Sequence, residues 1–264
     1  MGDPGHDPFQ HPDVGFNAMP GWTWVGCYGG YYLQADLLGE FEHGFFTRQW
    51  QGRGPEVLAG YLSAGVSIHR PQQVHGAAVL PASQASAAPW PDADGLVSDG
   101  GGQSLWVCGA DCTPVLLADP RRGAVAACHA GWRGVAAGVL AQAVAQLTAA
   151  GSVPGELLAA LGPAISGVHY QVERQVSTEV ADAIDAKAGL ERLLECGALQ
   201  PDPEPGRDRL DIRAAARLQL LALGLPASQI STCPLCTLAE PALFHSWRRD
   251  QVKAVQWSGI VSQA

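Results

Sequence analysis

The amino-acid sequence predicts an α/β fold, and three observations predict it. Short apolar runs bounded by Gly and Pro, such as PVLLADP (114–120) and GAVAACHA (123–130), carry the continuous or alternating pattern of strands. Residues 135–150 and 210–223 instead repeat apolar side chains at every third and fourth position, as a helix packed on a sheet does. The two kinds of segment alternate along the chain, which is the order of α/β proteins. With 264 residues, 47% of them hydrophobic, the chain can bury a substantial core as one large domain or two.

The elements follow in order. Residues 1–20, MGDPGHDPFQHPDVGFNAMP, are acidic and rich in Pro and Gly, which reads as a disordered terminus. They lack the basic start and apolar core of an export signal. Trp22 to Leu38 is a strand-like mix of Trp, Tyr and Leu with a turn at Gly29-Gly30, and FEHGFFTR (41–48) is a short apolar strand ending at Arg48. Residues 56–64 suit a short helix. SIHRPQQVHG (67–76) is the strand that delivers His75, with His69 as an exposed loop residue, and the Ala-, Ser- and Pro-rich stretch 82–93 is a surface loop. Asp94 and Asp99 bracket a short strand. Residues 106–134 hold two short strands, each followed by a tight turn, with Cys112 at the first turn and His129 at the second. Beyond the helix at 135–150 come a buried strand (157–161), a helix near 174–188, a polar loop (201–208) and an amphipathic helix (210–223) stopped by Gly224 and Pro226.

Composition excludes some functions. Asp and Glu outnumber Lys and Arg by 25 to 16, a net charge of −9 with no basic run, which argues against nucleic-acid binding. No apolar run reaches the roughly 18 residues that a membrane span needs. Seven cysteines, an odd count in a chain too large to depend on disulfides, point to a reducing, cytoplasmic setting.

The chemistry concentrates at three strand ends. His75, Cys112 and His129 offer two imidazoles and a thiol, a set that gives zinc three protein ligands and leaves a fourth position open, as in catalytic zinc sites. The simpler alternative is a buried thiol behaving as a small hydrophobe, and Cys108 and Cys128, inside apolar runs, are read that way. Asp94, Asp99 and Asp111 are candidates to orient a ligating histidine. Cys233 and Cys236 form a lone C-x-x-C with no second pair, so they read as buried thiols. Arg48 either caps a strand or grips an oxyanion such as phosphate through its guanidinium.

Taken together, FEHGFFTR, QVHG, DADGLVSD, GADCTPVLLAD, HAGWRG, LGPAISGVHYQV, LDIRAAARLQL, STCPLCT and FHSWRRD resemble, in order from about Glu42 to Asp250, one known family. It is the polyphenol oxidase-like, or laccase-domain, purine nucleoside phosphorylases, which include multicopper polyphenol oxidoreductases and bacterial peptidoglycan editing factors. The resemblance implies a single α/β domain over 21–264, with mixed sheets flanked by helices and an architecture similar to the catalytic domain of cytotoxic necrotizing factor toxins. It implies zinc on His75, Cys112 and His129. It also implies phosphorolysis of adenosine, inosine, guanosine and 5′-methylthioadenosine, together with adenosine deamination.

Within that expectation Arg48 would hold phosphate and Asp111 would move a proton. The alternatives are a cysteine hydrolase acting on a muropeptide precursor, with Cys112 as nucleophile, a copper-dependent polyphenol oxidase, and a non-catalytic binder. Eight histidines with no His-x-His pair are too few for a four-copper centre, although copper can enter the zinc site. The chain also departs from the family pattern. Gln251 follows the RRD block where the family pattern commonly has glycine, and Gln49–Arg53 stands in place of its Gly-Gly stretch, so the departures fall in substrate-side loops and leave the three expected ligands intact.

Overall fold

A computed structural model describes residues 11–12, 19–27 and 30–263. The strands are β1 (His11–Pro12), β2 (Trp22–Cys27), β3 (Gly30–Ala35), β4 (His43–Phe46), β5 (Ser67–His69), β6 (Val79–Pro81), β7 (Gly95–Val97), β8 (Gln103–Gly109), β9 (Thr113–Ala118), β10 (Val125–Ala130), β11 (Leu158–Leu161), β12 (Gln171–Glu173), β13 (Leu199–Pro201), β14 (Arg207–Leu210), β15 (Ile230–Thr232) and β16 (Gln256–Val261). The helices are α1 (Pro55–Leu62), α2 (Trp132–Ala137), α3 (Val139–Ala149), α4 (Arg174–Asp182), α5 (Gly189–Glu195), α6 (Ile212–Ala222) and α7 (Trp247–Asp250). A seven-stranded sheet runs β1-β2-β3-β4-β16-β8-β5, a six-stranded one β15-β11-β9-β10-β7-β6, and a third β12-β14-β13. Both large sheets are mixed, because β5 with β8, β6 with β7 and β11 with β15 are parallel while their other pairs are antiparallel.

The side-chain period of two explains why the central strands read as continuous apolar runs. In β9, Val115 and Leu117 join a core shared with α3 and α6, whereas Leu116 and Ala118 join a core shared with the seven-stranded sheet. β10 and β11 divide their residues in the same way, so both faces of the six-stranded sheet are covered. A third cluster, with Phe46, Trp50 and Trp106, lies under α1 on the other face of the seven-stranded sheet.

Several expectations are corrected. His69 is 4% exposed and lies in β5, because parallel pairing with β8 buries it and Nδ1 meets the Ala82 carbonyl at 2.6 Å. The helix over 135–150 is two helices, broken where Gly138 adopts φ 85 and serves as the end of α2 and the start of α3. The helix near 174–188 ends at Asp182, and the polar loop at 201–208 is the connection of the β13–β14 hairpin. Ala82, Ala85 and Ala93 of the expected surface loop are fully buried. Most of residues 1–20, and Gly29 of the first turn, lie outside the described residues. Within the terminal segment, His11 and Pro12 pair with Gly26 and Val25 of β2.

Candidate metal centre and active site

Register builds the site. β10 lies between β7 and β9, with Cys128 opposite Gly95 on one side and His129 opposite Pro114 on the other. Asp94 immediately precedes β7 and Cys112 immediately precedes β9, so both arrive beside His129 near the end of β10. The His129 backbone N–H donates to the Asp94 carbonyl at 2.7 Å, and its Nδ1 lies 2.8 Å from Asp94 Oδ1.

Asp94 is fully buried and also receives the backbone N–H groups of Val74 (3.2 Å), His75 (3.0 Å) and Gly76 (2.6 Å). One carboxylate therefore fixes both the His129 ring and the segment that carries His75. That segment is not the strand expected over 67–76. The ladder stops at His69, ahead of Pro71, which has no N–H to donate, and His75 sits in a bend at φ 60.

The donor atoms of His75, Cys112 and His129 all lie within 4.8 Å of one another. His75 is exposed, Cys112 half-buried and His129 buried, so the group opens to solvent on the His75 side. Burial opposes the Cys112 thiolate, yet hydrogen bonds from His129 and His75 hold the thiol below its ordinary range. Burial likewise opposes the His129 cation, and Asp94 and Cys112 outweigh it and raise that pKa. By contrast burial, with the Asp94 charge adding to it, pushes Cys128 up to about 12, and burial is the main cause that takes Cys108 there.

This donor set fits a borderline-soft metal. Asp94 occupies Nδ1 of His129 and leaves Nε2 as the ligating nitrogen, and Cys112 is poised to ionise. Two imidazoles and a thiolate suit zinc or copper better than magnesium or calcium. A side chain at position 131 would intrude, because a Cβ there would lie 2.7 Å from Cys112 Sγ and 3.6 Å from His75 Cδ2. Gly131→Ala is expected to leave folding intact, since Cys112 can rotate away, and to lower metal occupancy several-fold. Elemental analysis beside a thermal melt checks both halves.

The remaining expected residues are placed as follows. Arg48 opens a 3-10 turn (Arg48–Trp50) after β4, and its Nη1 donates to the Pro241 carbonyl at 2.6 Å. Asp111 stands beside Cys112 at φ 99, its oxygens accepting from Thr237 Oγ1 (2.6 Å) and the Arg248 backbone N–H (2.7 Å). Asp99 serves Ser83 and Gln103 instead. Cys233 and Cys236 are buried, and Cys236 Sγ accepts from the Ser166 N–H at 3.3 Å. Tyr170, Arg133 and Arg248 also belong to this neighbourhood, and sequence reasoning missed them. The arginines within HAGWRG and FHSWRRD were the available signal.

Residues 56–262 match the family model described as multi-copper polyphenol oxidoreductase laccase. A purine nucleoside phosphorylase of Synechocystis is 41% identical over 256 residues, covering 91% of this chain and 97% of the relative. The purine nucleoside phosphorylase YlmD of Geobacillus stearothermophilus is 35% identical over 189 residues, 68% of this chain and 66% of the relative. Among solved structures, that of YlmD from the same organism aligns with a TM-score of 0.77 at 27% identity, covering 98% of this chain and all of the other. YfiH of Bacillus licheniformis aligns with a TM-score of 0.75 at 27% identity, over 88% of this chain and 96% of its own.

Proposed function

The chain belongs to the multi-copper polyphenol oxidoreductase laccase family, and from that premise we propose that it is a zinc-dependent purine nucleoside phosphorylase with adenosine deaminase activity. Its substrates in this reading are adenosine, inosine, guanosine and 5′-methylthioadenosine, with phosphate as co-substrate. The observation that carries it is the convergence of His75, Cys112 and His129 within 4.8 Å, open on one side, in a chain so similar over its length to a purine nucleoside phosphorylase. Seven free cysteines and a net charge of −9 suit a cytoplasmic enzyme acting on small molecules. No helix among the described residues is long and apolar enough to cross a membrane.

His75, Cys112 and His129 would hold the metal. When bound, zinc supplies Lewis acidity and lowers the pKa of water. The protein's own groups do the rest of the arranging. Asp94 keeps His129 in one tautomer and holds His75 toward the same point. Arg48, with a single Nη committed to Pro241, remains a candidate for phosphate contact. Asp111 tethers the Cys112 turn to Thr237 and Arg248, the work that a carboxylate with both oxygens engaged is suited to. A copper oxidase reading needs more donor clusters, and among the described residues this is the one group of three. A single copper in the zinc site stays compatible with it.

Incubated with adenosine and phosphate, the zinc-loaded protein is expected to release adenine and ribose 1-phosphate, with some inosine and hypoxanthine. Omitting phosphate is expected to stop base release and spare deamination, because only phosphorolysis uses that nucleophile. Chromatography of the products reads both. A second reading has its own observation, the chain of contacts from Cys112 through His129 to Asp94, which is the order of a thiol nucleophile, its base and an orienting carboxylate. No turnover of any purine nucleoside by zinc-replete protein, alongside hydrolysis of a serine-containing muropeptide, would establish that reading instead.

A further inference from the structure

Two arginines beside the candidate metal centre have no carboxylate partner among the described residues, in a chain whose net charge is −9. Arg248 is held on three sides. Its backbone N–H donates to Asp111 at 2.7 Å, its Nη1 donates to the Gln171 carbonyl at 3.1 Å, and its guanidinium carbon lies 5.0 Å from the centroid of the Tyr170 ring. Because Asp111 adjoins Cys112 in the chain, the tether fixes Arg248 relative to the metal ligands. Arg133 follows His129 by four residues and stacks its guanidinium 4.4 Å over the Trp132 ring. Both arginines are exposed, and neither forms an ion pair with a carboxylate among the described residues.

Tyr170 ties the two together. Burial is the main cause that raises its phenol pKa, Cys112 and Asp111 add to that, and Arg248 and Arg133 pull against it. Arg133 lies in the first turn of α2, directly after the strand that carries His129, and Arg248 is tethered to the residue before Cys112, so both are carried beside the ligand cluster. A cation left unpaired beside a metal-ligand cluster, and pre-set by a backbone tether and an aromatic face, is arranged to receive an oxyanion.

We propose that Arg133 and Arg248 form an anion seat beside Tyr170 that holds the tetrahedral phosphate used by this enzyme. The seat deepens the phosphorolysis reading and rests on it. In that reaction a phosphate oxygen bonds to the ribose anomeric carbon as the bond to the purine nitrogen breaks. The electron pair of the broken bond leaves with the purine, which takes up a proton, so no oxidant or reductant is required. The arginines orient the nucleophile and offset its charge.

Equilibrium dialysis of the zinc-loaded protein with labelled orthophosphate, paired with inosine phosphorolysis kinetics, tests the seat. Arg133→Ala and Arg248→Ala are each expected to weaken orthophosphate binding and raise its KM roughly tenfold or more, with zinc content and the inosine KM unchanged. Arg248→Lys should recover part of the loss, and Arg121→Ala, whose guanidinium pairs with Glu156 at the surface, should match wild type. A second arm with adenosine 5′-monophosphate separates a free phosphate from a phosphate ester. Tight binding of the ester without any binding of orthophosphate overturns the assignment, as does orthophosphate affinity that is unchanged in both variants or lost in Arg48→Ala alone. Absence of nucleoside turnover with phosphate binding still dependent on both arginines keeps the seat and removes the phosphorolysis reading.

Discussion

Cys112→Ala is expected to strip the protein of its metal and of both purine activities while leaving the fold in place. Cys112 is half-buried in the turn ahead of β9 and belongs to none of the three apolar clusters, so its side chain contributes little to the core. As a ligand it has no substitute, because among the described residues His75, Cys112 and His129 are the one group of three donors that could hold a metal. Zinc measured by elemental analysis should fall from about one ion per chain to a trace, since a site cut to two ligands loses most of its affinity. The metal-free variant should melt with the metal-free wild type. Cys233→Ser and Cys236→Ser are the controls, and zinc should survive both. Retention of zinc in Cys112→Ala, or its loss in either control, places the metal elsewhere. In metal-free wild type, Cys112 should also be the thiol that iodoacetamide modifies first, because its pKa is held down by two imidazoles while burial pushes Cys108, Cys128 and Cys233 up to about 12.

The three candidate ligands share a local signal in the sequence, because each sits where an apolar run meets a glycine or a turn. Their supports were not legible, because those depend on pairings between distant segments. Asp94, Asp99 and Asp111 looked equivalent as candidates to orient a histidine. Only the β7–β10 register puts Asp94 against His129 and sends Asp99 to Ser83. His69 looked exposed beside Arg70-Pro71 for the same reason, since a parallel partner 36 residues downstream in the chain, Leu105, buries it. Gln251 shows the converse. The resemblance led to a glycine after RRD, at the end of α7, and Gln251 there takes the left-handed conformation at φ 50 that glycine adopts freely.

Asp94→Asn is expected to lower zinc affinity 10- to 100-fold, the range typical for loss of a carboxylate that orients a metal-binding histidine. The substitution keeps the shape but turns one of two acceptor oxygens into a donor. Oδ1 serves His129 Nδ1 and the His75 N–H, while Oδ2 serves the N–H groups of Val74 and Gly76. Whichever way the amide turns, two donors face an NH2 group and lose their acceptor, and the cost, about 1–3 kcal/mol for a buried group, is greatest when the buried His129 ring is one of them. If the amide nitrogen faces His129, the ring must place its proton on the nitrogen that the metal needs. If it faces Val74 and Gly76, the His75 bend is released. Both routes degrade the same site, so affinity in competition with a zinc-chelating dye should fall together with apo-protein stability. The acid limb of stability should change too. Burial opposes the Asp94 carboxylate, but His129 and the backbone donors hold its pKa below the ordinary 3.8. Its contribution is therefore complete above that value and is lost as pH falls through the folded one, a loss that Asp94→Asn cannot show. Asp99→Asn, whose carboxylate serves Ser83 and Gln103, should bind zinc as wild type does. Equal zinc affinity in wild type and Asp94→Asn would overturn the orienting role.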